Sequence, residues 1–198
     1  MNELSSGKAF VSAAGTEEPL VSLDIEVMKG PCGEPEIVEV GIVDHNHNVV
    51  LHSLCQPSFA LANDECRPGL QARQLRVARS FETAIPSIQE AVRGKAVVMY
   101  NSSFDGRFLG ESLDTAADIQ CAMTRFAGRG GRYSKRHRSY QWVRLDEALQ
   151  IAGIPKPRGN YHRALVDAEA TLLLWQWMET TDRTICETHH PAFLGRLF

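Results

Sequence analysis

Pro19-Leu20-Val21-Ser22-Leu23-Asp24-Ile25-Glu26-Val27 is the stretch on which the reading of this chain turns. Val21, Leu23, Ile25 and Val27 alternate with Ser22, Asp24 and Glu26, the two-residue period of a strand. One face of that strand is apolar. The other carries two carboxylates about 7 Å apart, a separation that lets both side chains converge on one cation. Charge inside an otherwise apolar strand is costly unless it is paired or bound to metal. Taken alone, the pair also reads as the solvated polar face of an edge strand.

Downstream, residues 28–35 hold Gly30, Pro31, Gly33 and Pro35, which predict a turn. Strands are expected at 36–44 and 48–56, joined as a hairpin by His45-Asn46-His47. Residues 57–79 read as irregular with a short helix. Ser80 is placed as an N-cap before Phe81, Ile85, Ile88 and Val92 at helical spacing. Pro86 inside that pattern predicts a kink or a later start. A buried strand is expected at 95–100 and helices at 103–113, 144–152 and 161–180, the last with Leu165, Ala168, Leu172 and Trp175 as its apolar stripe. The order predicts an α/β fold. Its mixed central sheet is antiparallel in the first three strands, then parallel, and is flanked by helices.

At 198 residues one domain is expected, at 19–180, between a flexible N-terminal tail (1–18) and a C-terminal tail (181–198). The net charge of −3 removes a global basic signature for nucleic acid. It does not remove a nuclease, because a carboxylate-rich site pulls the sum negative. No apolar run reaches the roughly 18 residues of a membrane span, and no secretory signal precedes the domain. Five cysteines, an odd number without CxxC spacing, point to reduced thiols and a cytoplasmic setting.

Two further carboxylates stand where a purely structural chain would not need them. Asp105 lies in Asn101-Ser102-Ser103-Phe104-Asp105-Gly106-Arg107-Phe108-Leu109, and Phe108 and Leu109 follow it at the spacing of one helix face. It reads either as a core-side carboxylate in need of a partner or as a first-turn acid answering the helix dipole. Asp167 lies in His162-Arg163-Ala164-Leu165-Val166-Asp167-Ala168, on the border of the last apolar stripe. Together with Asp24 and Glu26 these make an ordered set. Hard divalent cations take oxygen ligands, phosphodiester cleavage is served by two such ions, and a histidine accepts a proton near neutral pH.

The chain resembles the DEDDh, or DnaQ-like, 3′→5′ exonucleases of the ribonuclease-H-like superfamily. The family's Asp-x-Glu motif matches Asp24-Ile25-Glu26. Its Asn-x-x-Phe-Asp-x-x-Phe-Leu pattern matches residues 101–109, and its His-x-Ala-x-x-Asp-Ala pattern matches His162 to Ala168. Weaker echoes run over 121–125 and 145–154, and the likeness covers roughly 20–180. The resemblance implies that Asp24, Glu26, Asp105 and Asp167 bind two divalent cations, Mg²⁺ or Mn²⁺. It makes His162 the general base and places Asn101 and Phe104 on the substrate side. The family often follows its Glu with Thr-Thr-Gly, whereas Val27, Met28 and Lys29 stand here. The Val27 backbone N–H is then expected at the 3′-hydroxyl and Met28 against the terminal base, an apolar pair that hints at RNA.

Residues 119–145 contain no Asp or Glu, and Arg125, Arg129, Arg132, Lys135, Arg136, Arg138 and Arg144 give them a charge of +7. Phe126, Tyr133, Tyr140 and Trp142 are interleaved. Cations for phosphates and rings for bases suit a single strand, and the glycines predict a loop that orders on binding. Arg132, Lys135, Arg136 and Arg138 are the expected substrate contacts; a solvated basic loop is the simpler reading. The expected partner is single-stranded or 3′-ended DNA or RNA and no membrane, with a homodimer or a polymerase partner left open. The competing reading is a non-catalytic nucleic-acid- or polymerase-binding module on the same fold. The presence of all four carboxylates and His162 argues against it.

Overall fold

The computed structural model describes residues 10–11, 17–31, 33–61, 65–67, 69–130, 133–136, 139–159 and 162–188. Its centre is a five-stranded sheet of β1 (Leu20–Lys29), β2 (Pro35–Asp44), β3 (Val49–Leu54), β4 (Ala96–Met99) and β5 (Asp118–Cys121). The strand order is β3-β2-β1-β4-β5. The first three strands pair antiparallel, and β4 and β5 join parallel. This is the mixed sheet the alternation predicts, with β5 arising inside the segment read as a basic loop.

Two helical layers cover the sheet. On one face Val21, Leu23 and Ile25 of β1 and Val40 and Ile42 of β2 pack with Ala84, Ile88 and Val92 of α2 (Phe81–Val92) and Leu109 of α3 (Ser102–Leu109). On the other, Leu20, Val43, Ala96 and Val98 meet α4 (Ala122–Gly130), α5 (Leu145–Ala152) and α6 (Ala164–Thr188) through Phe126, Leu149, Leu172 and Trp175. A short helix, α1 (Ala72–Arg76), adds Leu75 to a small third cluster with Val38 and Leu70.

Several expectations are corrected. The helix after Ser80 begins at Phe81 and passes through the exposed Pro86, so the later start does not occur; its buried stripe holds it across the missing donor. The helix expected at 103–113 ends at Leu109, where Gly110 at φ 48° turns the chain into a 3₁₀ turn, Gly110–Leu113. The helix expected at 161–180 runs from Ala164 to Thr188. Within 1–18, Phe10–Val11 pair with Glu17–Glu18. Residues 119–130 are strand and helix, and Phe126 is buried core, unavailable for stacking on a base. No helix among the described residues is long and apolar enough to cross a membrane.

The sheet also sets where a site can form. β4 pairs with β1 only at Leu20, Val21 and Ser22. Asp24 and Glu26 therefore lie on the part of β1 that runs beyond β4, where α3 begins. Ligands of open α/β sheets bind at these carboxyl ends of parallel strands.

Candidate active site

The four sequence-predicted carboxylates come from three elements. Asp24 and Glu26 share the face of β1 that meets α6, while Leu23 and Ile25 point into the opposite core. Across the ladder Asp24 faces Gly41 and Glu26 faces Glu39. A Cβ on Gly41 would lie 2.5 Å from Ala164 C and Leu165 N. Only glycine lets the first turn of α6 rest directly on β2. That contact brings Asp167, one turn into α6, over the β1 carboxylates. Asp105, buried on α3, arrives from the end of β4. Asn101 caps α3: its side-chain oxygen accepts from the Phe104 N–H at 3.3 Å.

Glu26, His162 and Asp167 offer ligand atoms that all lie within 4.8 Å of one another. The His162 backbone N–H donates to Asp167 Oδ2 at 3.3 Å. Asp167 Oδ1 is buried without a hydrogen-bond partner among the described residues. Burial, reinforced by the charges of Asp105, Asp167, Glu26 and Glu39, pushes the Asp24 carboxyl well above the usual range. Asp105 is pushed up to about 7, again by burial, against a backbone hydrogen bond from Asn101. Burial also raises Asp167, opposed by the hydrogen bond from His162. Buried carboxylates gathered in this way, with one bare buried oxygen among them, fit a hard divalent cation.

Two residues that sequence reading missed frame this group. Glu39, fully buried in mid-β2, takes Nε and Nη2 of Arg163 at 2.8–3.1 Å and His52 Nε2 at 2.7 Å. Arg163 Nη1 also donates to the Gly69 carbonyl at 2.7 Å. A charge in the centre of Ile37-Val38-Glu39-Val40-Gly41-Ile42 was a visible signal, since it demands a partner. The partner, 124 residues away, was not visible.

The model of the RNase T exonuclease family matches residues 21–175. The chain belongs to that exonuclease family, in the DEDDh branch of the ribonuclease-H-like fold. Among curated proteins nothing matches this exonuclease-family chain. Solved structures do. E. coli exonuclease I in complex with a dT13 oligonucleotide aligns at TM-score 0.59 and 14% identity, over 86% of this chain and 43% of the other. The zinc-bound form of the E. coli exonuclease I–ssDNA complex aligns at 0.58 and 14%, over 86% and 42%. The Neurospora crassa Pan2 catalytic unit, with protease and nuclease domains, aligns at 0.64 and 12%, over 84% and 28%. The chain thus spans less than half the length of these proteins, and the likeness is one of fold.

On the expected substrate side, Phe104 is 36% exposed and its ring centroid lies 5.2 Å from that of Phe108. The Arg107 guanidinium sits 4.7 Å above each ring. Val27 follows an irregularity in the β1–β2 register and packs against the α2-side core. Met28 packs in part on Val38, Leu70 and Leu75. Lys135 and Arg136 are exposed in the turn between the paired Tyr133–Ser134 and Ser139–Tyr140, and Trp142 is 68% exposed. Arg132 and Arg138 lie outside the described residues. Three arginines of the +7 run have protein partners, with Arg129 and Arg144 remaining exposed. Arg125 stacks on Trp175 at 4.1 Å, Arg129 Nη1 donates to the Arg125 carbonyl, and Arg144 pairs with Asp146.

Proposed function

We propose that this chain is a metal-dependent 3′→5′ exonuclease that releases 5′-mononucleotides from DNA or RNA. The observation that supports the reading is the cluster of Glu26, Asp167 and His162, whose ligand atoms lie within 4.8 Å of one another, with the buried Asp24 in the electrostatic reach of Asp105, Asp167 and Glu26. In this reading Asp24, Glu26, Asp105 and Asp167 hold two divalent cations, Mg²⁺ or Mn²⁺. When bound, such ions offset charge on the scissile phosphate and make the attacking water more acidic.

His162 accepts the proton of that water as its oxygen bonds to phosphorus. The bond between phosphorus and the 3′-oxygen of the preceding nucleotide breaks, leaving a 5′-monophosphate and a chain shortened by one. Asp167 steadies the His162 backbone through the N–H it accepts. Phe104, in its stack with Arg107 and Phe108, gives a base a ring to rest on. Asn101 fixes the start of α3, and with it Asp105 and Phe104. Val27 and Met28 border the terminal nucleotide, and Lys135 and Arg136 meet the phosphates upstream.

The test is a product assay on matched 3′-ended DNA and RNA oligonucleotides, with Mg²⁺ or with EDTA. Release of 5′-mononucleotides with Mg²⁺ alone, lost in Asp24→Ala and strongly reduced in His162→Ala, supports the reading. If pure protein binds these oligonucleotides but releases nothing from any of them, the binding-module reading stands in its place.

A further inference from the structure

We propose that Glu39 and Arg163 form a clamp that sets the position of His162, acting on catalysis through that histidine without touching the substrate. The proposal rests on the exonuclease reading and adds two positioning residues to it. His162 sits at φ 65°, in the left-handed region that a non-glycine residue enters at a cost. A backbone held there needs fixing from both sides. Arg163, the next residue, supplies it.

Its guanidinium is gripped by Glu39 from the middle of β2, Nε at 3.1 and 2.9 Å from the two oxygens and Nη2 at 2.8 Å. A further arm reaches the Gly69 carbonyl at 2.7 Å. Its own carbonyl accepts from the N–H groups of Val166 at 2.9 Å and Asp167 at 3.1 Å, so it closes the first turn of α6. The Ala164 N–H completes the frame, donating to Glu39 Oε2 at 3.4 Å. One residue is thereby tied at its side chain to the sheet and at its backbone to the helix that carries Asp167. The His162 backbone beside it is thereby anchored where a ring nitrogen lies within 4.8 Å of the Glu26 and Asp167 ligand atoms. His52 Nε2, 2.7 Å from Glu39 Oε1, braces the clamp from β3.

A fork matched to a carboxylate is what arginine offers and lysine does not. Supporting groups of this kind change activity by about 10–100-fold when removed. A merely structural ion pair would lower stability and leave the turnover of the folded fraction intact.

The experiment uses the full chain with Glu39→Gln, Arg163→Gln and Arg163→Lys, each also combined with His162→Ala. Turnover is measured on a 3′-ended oligonucleotide with Mg²⁺ at a temperature where melting curves show each variant folded. The expected result is a kcat lower by about 10–100-fold with KM unchanged. No further loss is expected when the same substitution is placed on His162→Ala. Should Glu39→Gln fail to fold, Arg163→Lys keeps the charge opposite Glu39 and removes only the fork. A second readout needs no turnover: the His162 ring and amide resonances are expected to shift in Arg163→Lys, while amides of central α6 such as Leu172 hold their positions. Full kcat in the folded variants, losses that add to that of His162→Ala, or unmoved His162 resonances would each overturn the clamp. Absence of nucleotide release from the unaltered protein would instead overturn the exonuclease reading, and the resonances would still decide the clamp.

Discussion

Glu26 and Glu39 stand opposite each other across the β1–β2 ladder, yet they answer to different surroundings. Glu26 lies with Asp167 and His162, and Glu39 takes the guanidinium of Arg163. Burial pushes the Glu39 carboxyl up, but the hydrogen bonds from His52 and Arg163 outweigh it and hold the group below its ordinary value of 4.5. A carboxyl lowered in the folded state contributes stability that is present above its unfolded value and lost as pH falls through the folded one. The stability gap between the wild type and Glu39→Gln is therefore expected to be largest near neutral pH and to close below pH 4.5. Urea midpoints taken from pH 7 down to the acid transition measure it; a gap independent of pH would refute the account. Asp24, Glu26, Asp105 and Asp167 were legible because each broke an apolar pattern in a recognisable motif. Glu39 broke one too, but Arg163 reads like any solvated arginine until the sheet brings it within 3 Å of Glu39.

α6 is placed by what its neighbours lack. Gly41 removes the side chain that would separate the first turn of α6 from β2. Gly41→Ala forces a Cβ into backbone 2.5 Å away, which neither strand nor helix yields easily. It is expected to cost about 1–3 kcal/mol of overpacking strain. Since the shift lies beside Asp24, kcat should fall by more than the loss of folded protein explains, measured by melting curves alongside turnover. Farther along α6, Trp175 is buried in the α4–α6 core with Arg125 stacked on its ring. Trp175→Ala is expected to cost about 3–5 kcal/mol, read from chemical denaturation. The antiparallel strands and α2 were legible from periods of two and 3.6. β5 was not, because Asp118-Ile119-Gln120-Cys121 is too short and polar to show a period, and α4 was not, because arginines and glycines mask the pattern that buries Ala122, Met123 and Phe126.

Across the whole molecule, the net charge of −3 conceals an uneven distribution. Carboxylates converge at the ends of the parallel strands, while cations gather in residues 119–145. Lys135 and Arg136 are exposed beside the paired Tyr133–Ser134 and Ser139–Tyr140, open to a strand's phosphates. Each phosphate contact on single-stranded nucleic acid contributes about 0.7 to the slope of log affinity against log salt. Lys135→Ala with Arg136→Ala should flatten that slope by about 1.4 and weaken binding, measured by fluorescence anisotropy on a labelled oligonucleotide. An unchanged slope would return the segment to a solvated loop.

By itself the sequence determined the sheet's antiparallel beginning and the parallel strand after the crossover, and it singled out the four carboxylates and the histidine as candidates. Those features rest on local periodicity and on short motifs, whose chemistry is carried within a few residues. Only the tertiary structure decided that Glu39 reaches Arg163, that Gly41 admits α6 and that Arg125 of the basic run stacks on Trp175. Each depends on groups distant in the chain meeting at atomic contact, and contact between elements follows from how they pack, which no local pattern specifies.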